Sequence, residues 1–217
     1  MFPRSPRPRL FLVPLLLALA PLTARAQAPA YQVDTNSSRV YAKVGKASRI
    51  GHEHGIQGNF AGGKITLGGA GELVFDMRSF VADTPQARQY VGLPADFSQS
   101  DAAKVNANMR GGEVLDVANH PRATFAITSI TPADGQKAGE PGRYQLDGKF
   151  TLHGNTQPLR FTATVQQTNR PGVLHARGSF SIFQSSFGIT PYSALGGLVK
   201  VADQMEIYGD LTLVPAR

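Results

Sequence analysis

The chain has 217 residues, with 22 Lys and Arg against 15 Asp and Glu, a formal net charge of +7, and no cysteine. The missing cysteine excludes a disulfide framework and a lipid-modified N-terminal cysteine. The basic surplus sits largely at the N-terminus, and no Lys/Arg-rich run follows, so nucleic acid is a poor candidate partner.

Residues 1–26 read as a cleaved secretory signal. "MFPRSPRPR" carries three arginines and no acid, "LFLVPLLLALAPL" is an apolar run of 13 residues, and "ARA" ending at Ala26 is a small-residue exit. That run is too short for a bilayer span, which takes about 20 apolar residues. Removing Arg4, Arg7, Arg9 and Arg25 leaves 18 basic residues against 15 acids, a net of +3. Residues 27–217 are then long enough for one domain with a hydrophobic core. A soluble periplasmic or secreted protein is the simplest expectation.

The remaining chain alternates apolar and polar residues, the period-two signature of half-buried antiparallel strands. "SSRVYAKVGK" places Val40, Ala42 and Val44 on one face. "GGKITLGGAGELVFDMRSF" holds two strands joined by glycines, Lys64 to Leu67 and Glu72 to Phe80. "TPQARQYVGLPADFSQSDAAKVNANMRGG" interrupts the pattern. It predicts a short helical turn over 85–90 and a helix capped by Ser100 and Asp101, running to Met109 and stopped by Gly111 and Gly112. This insertion is expected to cross the sheet or cover its mouth. "RATFAITSI" leaves two faces open, Ala123/Phe125/Ile127 or Thr124/Ala126/Ile130. Four further strands follow, "GRYQLDGKFTL", "QPLRFTATV", "VLHARGSFSIF" and "QMEIYGDLTLV". Glycines inside them, at Gly148, Gly178 and Gly209, suit tight bends, and about eight or more strands with bends suggest a closed antiparallel barrel or a sandwich.

"GHEHG" puts His52 and His54 two residues apart, so an extended backbone points both to one face. Neutral imidazoles so placed suit zinc, copper or iron, a ligand head group, or ordinary hydrogen bonds. His120, His153 and His175 lie far along the chain, on turns or strands that the sequence does not bring together, and His175 is expected to face solvent. No G-x-S-x-G elbow, H-E-x-x-H helix or phosphate loop is present. Glu72, Asp76 and Asp83 have no partner legible in the sequence and are expected at the surface.

Several stretches, in order, resemble one family. "YQVDTNSSRVYAKV", "NHPRATFAITSI", "LDGKFTLHGNTQPLRFTATV" and "FSIFQSSFGITPYSALGGLVKVADQMEIYGDLTLV" look like segments of the YceI-like, lipocalin-like exported proteins. The resemblance runs from about Tyr31 to Val214. It implies an all-β fold, an extended antiparallel β-barrel of about eight strands with a short helical insertion. It also implies an apolar interior for a polyisoprenoid lipid or quinone tail, with no catalysis and no required cofactor. Two departures point to a subgroup. Gln184 stands where many members have arginine, and "GHEH" stands where many have one histidine.

On this reading the ligand-lining residues are Val44, Phe75, Phe125, Leu146, Phe150, Phe161, Phe180, Ile182 and Phe187, with His52 and His54 at a polar end. Gly148, Ala163, Ala176 and Gly178 are expected to leave room among them. The expected partner is an apolar small molecule, with a homodimer left open and no membrane span. Two other readings stay open: a metal- or heme-binding periplasmic protein using His52 and His54, and a stress-related scaffold with a filled barrel.

Overall fold

A computed structural model describes residues 29–133 and 135–216. The leader assigned to residues 1–26 lies outside the described residues. In chain order the elements are β1 (Ala30–Val33), β2 (Arg39–Lys46), β3 (His54–Thr66), β4 (Gly71–Ala82), α1 (Pro85–Tyr90) and α2 (Gln99–Arg110). They continue with β5 (Arg122–Pro132), β6 (Gly142–Leu152), β7 (Asn155–Gln167), β8 (Leu174–Phe183), β9 (Ser193–Ala194) and β10 (Val199–Pro215).

Each neighbour from β2 to β8 pairs antiparallel with the next. The ring closes because β10 pairs with β8 on one side, from Gln204↔Phe183 to Leu213↔Leu174, and with β2 on the other. β1 and β2 occupy one position in succession, both lying between β10 and β3. The result is a closed barrel of eight staves, one of the two architectures that the alternation allows and the one that the family resemblance implies, and closure leaves no edge to template aggregation.

The two open faces of β5 are both correct, in different halves of the strand. A bulge between Ile127 and Ser129 shifts the register against β6. Ala123, Phe125 and Ile127 face inward before it and Ile130 after it.

α1 begins on Pro85 as expected, and the Thr84 side chain accepts from the Ala87 N–H at 3.1 Å. It packs on the outer wall, where Ala87, Val91 and Leu93 cluster with Tyr41. The approach is close, since a Cβ at Gly55 would meet the Arg88 backbone at 2.8 Å. α2 starts two residues earlier than expected. Its cap is Ser98, which accepts from the Asp101 N–H, while Asp101 sits in the first turn, favoured there by the helix dipole. Asn106 fastens α2 to β4: its Oδ1 accepts from the Ala82 N–H at 2.8 Å and its Nδ2 donates to the Ala82 carbonyl at 3.2 Å. Arg110 Nε donates to the Phe80 carbonyl at 2.9 Å. The helix is thereby held across one end of the barrel.

Candidate functional site

Inside the barrel the two ends differ. At the α2 end is a cavity of about 690 Å³, well within the range of about 300–1,000 Å³ typical of ligand sites. At the other end only about 70 Å³ remains. Val40, Phe75 and Ile207 touch both spaces and mark the division.

The packed end is built from aromatic rings in a chain. Phe60 meets Phe75 at 4.9 Å between centroids, Phe75 meets Phe150 edge-on at 5.9 Å, and Phe150 meets Phe180 at 5.8 Å. Phe180 meets Phe161 at 4.9 Å, and Phe161 meets Phe125 at 5.6 Å. The strand glycines make room for these rings and not for a ligand. A Cβ at Gly178 would come within 2.8 Å of the Phe161 ring, and one at Gly148 within 2.8 Å of the Phe125 ring.

The open cavity is walled by Val40, Ala42 and Val44 of β2, Met77 and Phe80 of β4, and Met109 of α2, among others. Its mouth is mixed. Ile50 and Leu195 are 57% and 74% exposed there, beside Lys104, Lys200, His52 and His54. Lys104 pairs at 3.6 Å with Asp101 one turn earlier on α2.

Beneath this mouth lies a buried ionic group. The Asp83 carboxylate, 0% exposed, faces His54 Nδ1 at 2.7 Å and Arg88 at 2.8 Å. It also accepts from the Gly55 N–H at 3.2 Å. Burial pushes the Asp83 carboxyl up, but His54, Arg88 and the Gly55 amide outweigh it and hold it below the ordinary carboxylate range. Facing an ionised carboxylate, His54 donates from Nδ1 to Asp83 Oδ2, which fixes the orientation of the ring. Arg88 also donates to the Glu53 carbonyl at 2.9 Å, and its guanidinium lies 4.7 Å from the centre of the Phe97 ring. Phe97 in turn takes His52 and His54 edge-on at 5.4 and 5.8 Å. The mouth can therefore hold a polar group against oriented imidazoles and two lysines, with apolar wall below.

Known proteins share this architecture. The family described as YceI-like domain matches residues 31–213. The chain belongs to the YceI-like family. A UPF0312 protein of Vibrio parahaemolyticus is 28% identical over 156 residues, 71% of each chain. Another, of Pectobacterium carotovorum, is 30% identical over 95 residues, 44% of each. Among solved structures, BcnA of Burkholderia cenocepacia superposes with a TM-score of 0.55 at 21% identity, covering 83% of this chain and 98% of that one. A polyisoprenoid binding domain from Saccharophagus degradans gives 0.56 at 14% identity, covering 87% and 99%. At these identities the structures establish the fold.

Within this YceI-like barrel the residues read from the sequence separate into three groups. Val44, His52, His54, Phe75 and Phe150 line the open cavity. Phe125, Leu146, Phe161 and Phe180 line the packed end, with Phe75 common to both. Ile182 and Phe187 are buried in the core and line neither space. Ala163, Ala176 and Gly178 line only the small space of about 70 Å³, and phenylalanine rings take up the room beside Gly148 and Gly178.

Three further expectations change. Asp83 is buried and paired, because the turn before α1 folds it back onto β3. His175 is half-buried, its Nε2 at 2.6 Å from Asp210. His120 and His153 come together, with ring centroids 4.5 Å apart. Among the described residues no third ligating side chain joins His52 and His54. Gln184, where many family members carry arginine, is buried and donates from Nε2 to the Ala202 carbonyl at 2.7 Å. The sequence reading missed Phe97 and Lys104, on the helical insertion without alternation to point them inward, Lys200, at the start of β10 ahead of its alternating stretch, and Arg88, whose partner lies across a turn. Val40 and Ala42 shared the alternation of Val44, and that signal was sufficient to find them.

Proposed function

We propose that this YceI-like protein is an exported, non-catalytic binding protein that holds the apolar chain of an amphiphile, an isoprenoid lipid or quinone, in the α2 end of its barrel. The observation that carries the reading is the apolar cavity of about 690 Å³ with a polar mouth. Its wall on β10 runs from Val199 to Ile207. Eight steps of about 3.3 Å give about 26 Å along the strand, or about 20 Å along a barrel axis tilted by about 40°. That exceeds one leaflet of bilayer hydrocarbon, about 15 Å as half of the 30 Å core. The polyisoprenoid binding of the Saccharophagus degradans domain supports the same ligand class here. The head group rests against His52, His54, Lys104 and Lys200, and the leader-like residues 1–26 supply export.

At about 0.3 kcal/mol per heavy atom for large ligands, a 40-carbon chain reaches about 12 kcal/mol if it is wholly buried, roughly nanomolar affinity. A chain only partly housed binds more weakly. The test is organic extraction and native mass spectrometry of protein purified from the exported fraction, followed by titration with a quinone and with a polyprenyl phosphate. One lipid per barrel, or saturable uptake of either probe, is the expected result. A protein that purifies empty and takes up neither probe refutes the proposal.

A further inference from the structure

We propose a second site, for a divalent transition-metal ion of the zinc class, in the half-buried cluster of Asp116, His120 and His153 at the α2 end of the barrel. One ligand atom from each residue lies within 4.8 Å of the others, and this is the sole such group of three among the described residues. Ligands of a tetrahedral ion with bonds of about 2.0–2.2 Å sit about 3.4 Å apart, so small side-chain rotations close the set. Two imidazoles and one carboxylate are the donors that suit zinc and its neighbours, with a fourth position left to water.

The backbone brings these groups together in two unrelated ways. Asp116 and His120 stand one turn apart on the connection from α2 to β5, where the His120 N–H donates to the Asp116 carbonyl at 2.8 Å. His153 comes from the tight turn between β6 and β7. That turn has φ of 50° at His153 and 75° at Gly154, the positive pair that a type I′ turn requires. Asp116 also has a positive φ, 41°. Two of the three candidate ligands therefore occupy a conformation in which a non-glycine residue is disfavoured. The glycine beside His153 lets the rings meet, since a Cβ on Gly154 would lie 3.0 Å from His120 Cε1.

The polar groups around the cluster support the assignment. Asn119 Nδ2 donates to Asp116 Oδ2 at 2.8 Å and orients the carboxylate, as outer partners of metal ligands do. His153 Nδ1 is shielded from solvent and has no hydrogen-bond partner. Such an atom is costly in a folded protein, and an ion coordinated through that nitrogen would satisfy it. The site also has a structural consequence. Leu115 and Leu152, each adjacent in sequence to a ligand, line the large cavity. A bound ion would pin the connection after α2 to the β6–β7 turn and stiffen that side of the cavity wall.

The experiment is calorimetric titration of the purified, tag-free, chelator-treated protein with zinc, with melting curves in parallel. One zinc per chain is expected, together with a Tm rise of several degrees at saturating zinc. The variants His120→Ala, His153→Asn and Asp116→Asn should each lose at least about tenfold in affinity, the loss that even outer-shell changes bring. Asparagine keeps the positive φ accessible at both turn positions. Parental Tm without zinc shows that the variants fold. His52→Ala should bind zinc as the parent does. Absence of stoichiometric binding, or zinc binding that survives in His120→Ala and disappears in His52→Ala, overturns the site.

Discussion

Ala42→Leu distinguishes a hollow barrel from a merely uneven one. Ala42 is 3% exposed and lines the cavity between Ile56 of β3 and Ile207 of β10. Leucine adds three carbons, which at about 0.8 kcal/mol each bury about 2.4 kcal/mol of apolar group, offset by about 0.5–1 kcal/mol of lost rotamer freedom. The cavity of about 690 Å³ accepts this without moving the walls. The lipid-free variant should therefore gain about 1.5 kcal/mol, a Tm rise of about 3–6 °C for a domain of this size. The same side chain takes space from a ligand, so affinity for a quinone or polyprenyl phosphate should fall. Calorimetric melting of delipidated protein and ligand titration read the two effects. In a filled interior the extra carbons cost about 1–3 kcal/mol. A lower Tm with unchanged ligand affinity would defeat the reasoning.

Other outcomes follow from the same geometry. Gly178→Ala should cost about 1–3 kcal/mol by forcing the Phe161 ring aside, visible as a lower urea midpoint with unchanged slope. Asp83→Asn leaves the Arg88 guanidinium, 7% exposed, without its counter-charge and should cost about 3–5 kcal/mol, measured by denaturant unfolding. Because the Asp83 pKa is lowered from 3.8 on folding, its contribution is complete above that value and is lost as pH falls below it toward the folded-state pKa. The parent should therefore lose stability steeply in acid, and Asp83→Asn should show a shallower slope there. Asn106→Ala removes the two bonds from α2 to Ala82 and should cost about 1–3 kcal/mol. Amide exchange should then accelerate in α2 and at Ala82 while the β6–β7 hairpin stays protected.

The staves of the barrel were legible in the sequence because alternation is a local property. Val40, Ala42 and Val44, or Leu159, Phe161 and Ala163, reveal a common face without any knowledge of neighbours. Which part of that interior is empty depends on pairing across strands. Phe161 fills the barrel because Gly178 on β8 stands beside it, and Phe125 does so because Gly148 lies on the neighbouring β6. Glycine in a strand reads locally as missing volume, whereas here it is volume ceded to a ring on the next strand. The histidines repeat the lesson. His52 and His54 drew notice by their spacing, yet His54 is held by Asp83, 29 residues away. His120 and His153 meet only because the connection after α2 and the β6–β7 turn lie at the same end of the fold. Phe97 and Lys104 come from the helical insertion, whose docking on β4 rests on Asn106 and Arg110, and no periodicity announces that.

The aromatic plug makes the interior a cul-de-sac. On the proposed function, an amphiphile threaded into the barrel goes in tail first and must back out through the same doorway, so its head stays at the threshold throughout. Handing such cargo to another molecule is then an encounter at one face of the protein, with α2 and the Ile50–Leu195 lip as the ground on which donor and acceptor meet.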